Sequence, residues 1–239
     1  LRSLKRAEEN PEESEQYVRL TVDYRQRYIA ALEHAERDAA RRARAVSQQY
    51  SEIINLYRQA GNYPEALRYA RSSCAYVEKT AAQNPTVTLV HALTAVYFDM
   101  LSVYEAMERL SAQAFTEEQQ RGRTAVTEKL IRALSFLLAH YKESEPTLHT
   151  LNRTVSTLSD LITAHLRLGQ TDSAILCCEE RLRLSLDRYE KTHFLSDAYH
   201  AYYDASTLYK KLNRKDRELA CFLLGLSYEE KELQGHTTR

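Results

Sequence analysis

Four acidic residues occupy the same place in a recurring eight-residue pattern, which we call the octad. Each acid is the third residue of its octad, and the sixth residue is small and polar in every copy. Carboxylates beside small polar groups can bind Lys or Arg side chains of a partner through charge-assisted hydrogen bonds. The acids are Glu52, Asp99, Asp160 and Asp204, and the polar neighbours are Asn55, Ser102, Thr163 and Thr207.

The other octad positions predict a helix that presents these polar groups on one side. Residues one, four, five and eight are mostly apolar or aromatic, which is the spacing of a helix packed along one stripe. Since each helical residue turns by about 100°, the third and sixth residues fall opposite that stripe. One helix type used four times indicates an array of repeats. The copies are residues 50–57, 97–104, 158–165 and 202–209.

Composition predicts an all-helical protein. Only 5 Gly and 4 Pro occur in 239 residues, well below the average of roughly 12% for the two together. Lys plus Arg equals Asp plus Glu, at 33 each, so no net charge attracts nucleic acid or an anionic membrane. No apolar run approaches the roughly 20 residues of a membrane span, and no signal peptide is evident. We therefore expect an intracellular, cytoplasmic protein that binds no nucleic acid and does not insert into a membrane.

Motifs for catalysis or metal binding are not found in the sequence. The eight histidines form no zinc-binding motif, and there is no phosphate-binding loop or nucleophile elbow. The cysteines are expected to be small, reduced core residues. The prediction is a non-enzymatic protein without catalytic residues, metal or cofactor. The cysteines are Cys74, Cys177, Cys178 and Cys221.

The N-terminal third predicts one long helix. Asn10-Pro11-Glu12-Glu13 has the residues of a helix start, and apolar positions then continue without a helix breaker to Gln59. Between Ala35 and Ala45 the apolar side holds only alanines, so this part either packs closely on another helix or stands in solvent as an arm. The predicted organisation is a disordered segment at 1–11, a long helix (an arm or coiled coil) at 12–47, a repeat domain at 48–233 and a frayed tail at 234–239.

Helix ends within the repeats follow from local signals. Gly61 and Gly169 end helices, and the octads fall on the first helix of each antiparallel pair. Thr116 to Gln119 forms a capping box, although Gly122 leaves a later helix start near Thr124 open. A junction near Thr192 rests on spacing alone, since neither Gly nor Pro is present there.

The first octad and its surroundings resemble the tetratricopeptide repeat. The matching residues are Tyr50-x2-Ile53-x3-Tyr57-x3-Gly61-x-Tyr63-x2-Ala66-Leu67, with weaker copies around Gly169 and Asn213. The resemblance covers roughly residues 48–230, with units longer than the usual 34 residues. It implies antiparallel hairpins stacked as a right-handed solenoid whose first helices line a concave groove for peptides or partner helices.

These features predict a protein-interaction scaffold or adaptor. If the octads stack, their acids would form an acidic groove for a Lys- or Arg-rich peptide or helix, with Tyr203 on its flank. Alternatively, the acids form a solvated face or pair with basic residues of neighbouring repeats. Tetratricopeptide domains that bind the acidic tails of chaperones use Lys, Asn and Arg on their first helices. Only Asn55 fits that pattern among the corresponding residues here, so binding of such a tail is not expected. Two other functions stay open, a helical cup like the fourteen-three-three phosphopeptide binders and a regulatory helical domain or subunit of an enzyme.

A basic cluster on the N-terminal helix suggests a second use of the chain. Interleaved acids favour a solvated coiled-coil face over a nucleic-acid patch. Self-association, with the basic arm of one copy in the acidic groove of another, is a further hypothesis. The cluster consists of Arg37, Arg41, Arg42 and Arg44.

Overall fold

The computed structural model describes residues 11–83, 85–110 and 115–237, and all regular structure in these ranges is α-helical. The helices are α1 (Pro11–Ala35), α2 (Ala39–Gln59), α3 (Tyr63–Gln83), α4 (Val87–Leu110), α5 (Glu117–Glu143), α6 (Leu148–Arg167), α7 (Thr171–Thr192), α8 (Leu195–Lys211) and α9 (Lys215–Thr237). The chain forms two compact units, residues 1–133 and 134–239, with the boundary inside α5.

Antiparallel hairpins connected by left-handed residues build both units. Gly61 joins α2 to α3 with φ +71, and Gly169 joins α6 to α7 with φ +69. Asn213 takes the same place between α8 and α9 with φ 54. A left-handed residue after a helix lets the chain reverse while its amide groups satisfy the last carbonyls. The predicted all-α architecture of antiparallel hairpins is confirmed.

The core of the first unit forms where α4 lies against both α2 and α3. Ile53 and Ile54 of α2, Val77 of α3, and Leu89 and Leu101 of α4 are almost completely buried. Helix α4 is long and apolar enough to span a membrane, the one such helix in the described ranges, and just over half of that apolar stretch is buried inside the protein. Its packing is that of a core helix.

The prediction of one continuous helix up to Gln59 is wrong. The chain leaves the helical conformation between Ala35 and Ala39, and Asp38 becomes the N-cap of α2 by accepting a 2.8 Å hydrogen bond from the Arg41 amide. Arg42 stabilises the bend by donating to the carbonyl of Glu36 at 2.8 Å. An Asp side chain that caps a new helix can end the previous one without Gly or Pro.

Helix α1 therefore folds back onto its neighbours. Its residues Val18, Val22 and Ile29 are buried, and Gln26 donates a 2.8 Å hydrogen bond to the Tyr69 hydroxyl of α3. The alanine-rich segment is a close packing surface, since Ala43 is fully buried beside Ala81 and Leu89. Of the two alternatives for this segment, the structure shows the packed one.

Two junctions, the start of α5 and the end of α7, lie where the sequence predicted them. Thr116 and Gln119 form the capping box, with the Gln119 amide 3.2 Å from the Thr116 hydroxyl and the Thr116 amide 2.8 Å from the Gln119 side chain. Helix α5 therefore starts at Glu117 rather than near Thr124. Helix α7 ends at Thr192, as expected, and His193 supplies the left-handed residue with φ 56.

The second unit is packed mainly through small residues. Ala174 of α7 and Ala198 of α8 are fully buried, and Cys178 clusters with Ala205 and Leu208. Helix α9 continues to Thr237, beyond the predicted start of a frayed tail, and residues 238 and 239 lie outside the described ranges. The disordered segment predicted at 1–11 also falls outside them, except for Pro11, which begins α1.

All four cysteines are free thiols. Cys74 and Cys178 are buried as predicted, and burial raises the pKa of the Cys74 thiol to about 12 and that of Cys178 to about 11. Cys177 and Cys221 are only half-buried. The thiols therefore act mainly as small packing groups.

Candidate protein-binding site

The first octad places its polar pair on the exposed side of α2. Glu52 is more than half exposed and lies 3.5 Å from the Arg25 guanidinium of α1. Asn55 accepts a 3.2 Å hydrogen bond from Arg58, one turn further along. The acid is therefore paired within the chain, and only Asn55 faces an open groove.

The second octad turns its acid toward α2 rather than toward solvent. Asp99 is half-buried and accepts a hydrogen bond from the hydroxyl of Ser51. Burial raises the pKa of Asp99, while the Ser51 hydrogen bond and the charge of Arg58 act in the opposite direction. Ser102 donates to the backbone carbonyl of Asp99 at 2.6 Å, so its hydroxyl serves the helix itself.

The third octad holds an acid without a hydrogen-bond or ion-pair partner in the described part of the chain. Asp160 is half-buried on α6, and burial raises its pKa although the charge of Arg167 partly offsets this. Thr163 is exposed nearby on the same helix, and its hydroxyl donates to the Ser159 carbonyl at 3.2 Å. An incompletely solvated carboxylate gains most from a cation that approaches it.

In the fourth octad, the acid and the tyrosine before it are both bonded to other residues of the chain. Asp204 forms a 2.6 Å ion pair with Arg181 of α7. Tyr203 donates a 2.5 Å hydrogen bond to Glu229 of α9, and this bond is the first cause that raises the pKa of Tyr203 to about 12. Thr207 is exposed and lines a groove between α8 and α9.

Equal octad position thus does not produce equal surroundings. Glu52 and Asp204 pair with arginines of neighbouring helices, Asp99 bonds to a serine, and Asp160 is unpaired among the described residues. The alternative that the acids pair with basic residues of neighbouring repeats describes Asp204, whereas the partner of Glu52 lies on α1, outside the predicted repeats. The reason is that an octad sets a side chain's direction on its own helix, whereas the neighbouring helix decides what that side chain meets.

The structure adds a groove that sequence reasoning missed. It has a volume of about 370 Å³ at the end of α2 and α4 in the first unit. Two arginines, Arg58 and Arg109, make its lining basic rather than acidic. The sequence signal for this groove was Arg58, a basic residue directly after the first octad. The lining residues are Asn55, Arg58, Gln59, Tyr63, Ala106, Arg109 and Leu110.

No arrangement for metal binding is present in the described ranges, where no three His, Cys, Asp or Glu side chains come together. Three of the octad acids, Glu52, Asp99 and Asp204, connect neighbouring helices through their bonds. The polar sides of the octad helices can therefore give a partner hydrogen bonds and ion pairs.

Comparison with known proteins finds similarity to solved structures. No family model and no curated protein sequence matches the chain. Similar solved structures include BtubC (BKLC) from P. vanneervenii, with 14% identity, a TM-score of 0.36 and coverage of 90% of this chain and 92% of that one. Another is a variant of the TPR-like repeats of a Podosopora anserina protein described as a kinesin light chain, with 14% identity, a TM-score of 0.34 and coverage of 84% and 100%.

A third similar structure is a filament named DHF58, with 16% identity, a TM-score of 0.27 and coverage of 95% of this chain and 99% of that one. Similarities at these TM-scores do not decide the fold, which rests on the chain's own helices and turns. The repeated antiparallel hairpins, each carrying an octad on its first helix, agree with the all-α architecture that the resemblance to the tetratricopeptide repeat implies.

Proposed function

We propose that the chain is a non-enzymatic protein-interaction scaffold whose α6 surface receives a Lys or Arg side chain of a partner. The observation that carries the proposal is the half-buried Asp160 carboxylate, which has no hydrogen-bond or ion-pair partner in the described ranges. A partner cation would form a charge-assisted hydrogen bond there and offset the cost of partial burial. The exposed Thr163, one turn away, adds a polar contact.

Another octad acid, Asp204, provides the control for the experiment. Asp204 occupies the same octad position but is already paired with Arg181 at 2.6 Å. Removing the charge of Asp204 should therefore weaken a basic ligand less than removing that of Asp160. This makes Asp204→Asn a matched control for Asp160→Asn.

The test measures binding of a fluorescein-labelled peptide rich in Lys and Arg by fluorescence anisotropy at low salt. We expect Asp160→Asn to weaken binding about tenfold, which is the loss of one charged contact of about 1.4 kcal/mol, and Asp204→Asn to change it much less. Loss of the effect at high salt would agree with an ionic contact. Equal affinity for wild type and Asp160→Asn would reject the proposal.

A second candidate function is binding of an acidic or phosphorylated peptide in the groove near the end of α2. Arg58, Arg109 and Tyr63 line this groove, and such groups bind phosphate. A phosphoserine peptide that binds wild type and loses affinity with Arg109→Gln, but keeps it with Asp160→Asn, would favour this candidate. Failure of phosphorylated and unphosphorylated peptides to differ would exclude it.

A further inference from the structure

The last hairpin carries two apolar faces on α9, of which only one is covered in the described structure. The covered face packs on α8, where Gly225 lies against Tyr203 and Tyr202, and Tyr228 stacks on Tyr202 at 5.7 Å between ring centres. A second stripe with helical spacing is left in solvent. Its exposed members are Leu219, Phe222 and Leu223, and the Phe222 ring also lies 5.8 Å from that of Tyr203.

The first hairpin shows what usually covers this stripe. Gly61 and Asn213 are the left-handed turn residues of α2–α3 and α8–α9, so positions can be matched by counting outward from them. Tyr203 then matches Ser51 on the first helix. On the second helix, Phe222, Leu226, Glu230 and Leu233 match Ala70, Cys74, Glu78 and Ala81.

Each of the matched positions in the first hairpin with a described contact touches α4. Ser51 donates to Asp99, and Cys74 lies beside Met100 with 3.7 Å between the sulfur atoms. Glu78 accepts a 2.9 Å hydrogen bond from the Tyr97 hydroxyl. Ala81 belongs to the same cluster as Leu89. These contacts show that α4 runs parallel to α2 and fills the groove of the α2–α3 hairpin.

The second unit repeats this arrangement once. Cys178 of α7 packs with Ala205 and Leu208 of α8, and Ile162 and Leu166 of α6 contact the same cluster. Helix α8 thus lies against α7 and shares a core cluster with α6. In the described structure the α8–α9 hairpin has the corresponding groove, with a volume of about 690 Å³, and no helix lies in it.

The charges along this groove are ordered. Lys210, Lys215 and Glu218 line the end next to the turn, so the charge of that end is net positive. Glu229, which accepts a hydrogen bond from Tyr203, and the exposed Glu230 lie further along α9 with Lys231, so the charge of that end is net negative. A helix has a positive N-terminus and a negative C-terminus. The charges therefore complement a helix that runs parallel to α8 and ends at the lysines.

We propose that the α8–α9 groove binds one amphipathic helix of a partner protein, parallel to α8, with its acidic C-terminal end at Lys210 and Lys215. The helix carries an apolar i, i+3, i+4, i+7 stripe against Leu219, Phe222 and Leu226, which is a known mode of helix recognition. A Tyr or Lys of the partner faces Glu230, as Tyr97 and Lys129 face Glu78 within the chain.

The groove also sets the size of the partner's side chains. Phe222, Leu226 and Leu233 stand where the first hairpin has the smaller Ala70, Cys74 and Ala81. Less room is left for the docked helix, because protein interfaces pack as closely as interiors. The partner stripe is therefore made of Ala and Leu rather than of aromatic residues.

The test uses the full chain and a designed, fluorescein-labelled 21-residue helix with an Ala/Leu stripe, a Tyr placed to face Glu230 and Glu in its last turn. Anisotropy should show saturable binding that weakens at least about tenfold with Leu219→Glu. Leu176→Glu, a change at another exposed leucine, is the matched control and should leave binding unchanged. A second helix with the charges of its two ends exchanged should bind about tenfold more weakly.

Several results would overturn the proposal. Absence of binding by the designed helix, or equal loss with Leu219→Glu and Leu176→Glu, would show that the groove is not the site. Equal affinity for the two charge orders would reject the orientation. Sedimentation that shows dimers abolished by Leu219→Glu would make a second copy the occupant instead. Asp160→Asn should leave this interaction unchanged, so its failure and that of the proposed function are distinguishable.

Discussion

The hydroxyl of Ser51 donates a hydrogen bond to the carboxylate of Asp99, and thereby joins the second residue of one octad to the third residue of the next. Both residues lie on first helices of hairpins, α2 and α4. A residue predicted to meet a partner thus helps to hold two repeats together.

Replacing Ser51 with Ala should destabilise the protein by about 1–3 kcal/mol, because the half-buried Asp99 carboxylate loses its hydroxyl donor. Urea unfolding followed by circular dichroism measures the change. Ser72→Ala is the control, since this exposed hydroxyl donates to the Arg68 carbonyl of its own helix at 3.2 Å, and its effect should be within about 0.5 kcal/mol. Equal losses for the two variants would contradict a specific role for the Ser51–Asp99 bond.

Replacing Asp160 with Asn should stabilise the protein at pH 7 and lose this effect in acid. Burial raises the pKa of Asp160, so the folded state holds the proton more tightly than the unfolded state. The wild-type carboxyl therefore stabilises the fold fully below its unfolded pKa of about 3.9 and loses that contribution as the pH rises through the folded pKa. Urea unfolding between pH 7 and about pH 3.5 measures the difference. Glu128→Gln, at an exposed position of α5, should show no such trend.

Replacing Gly122 with Ala should destabilise α5 against α4. Ala normally favours a helix over Gly by about 1 kcal/mol, but its Cβ would lie 2.4 Å from the hydroxyl oxygen of the buried Tyr104. We expect a net loss of about 1–3 kcal/mol in thermal or urea unfolding. In a Tyr104→Phe background the nearest atom is the ring carbon at 3.2 Å, so the same change should cost much less. A loss of equal size in both backgrounds would argue against this contact.

Replacing His193 with Gly should stabilise the second unit by about 0.5–1 kcal/mol. His193 has φ 56 at the end of α7, a conformation that Gly adopts without the steric cost of a Cβ. The melting temperature measures the gain. His200→Gly inside α8 is the opposite control and should cost about 1 kcal/mol, because Gly disfavours a helix interior. A destabilised His193→Gly protein would show that the side chain contributes more than its backbone strain costs.

Local signals predicted most helix ends, because each end depends on a few neighbouring residues. Gly61, Gly169 and Thr116 act at the positions expected of them. The bend at Asp38 was missed, since Asp is common on solvated helix faces and becomes a cap only where α1 can pack back on α2 and α3. Packing of Val18, Val22 and Ile29 favours that bend over a straight helix.

The sequence by itself determined that the chain is helical, where its hairpins turn and which side of each first helix is polar. These properties follow from the spacing of apolar residues and from the turn residues. Only the tertiary structure decided that Glu52 and Asp204 pair with Arg25 and Arg181, and that Asp160 does not pair with another described residue. The environment of a side chain depends on the helices packed beside it, and their distance along the chain hides that contact from the sequence pattern.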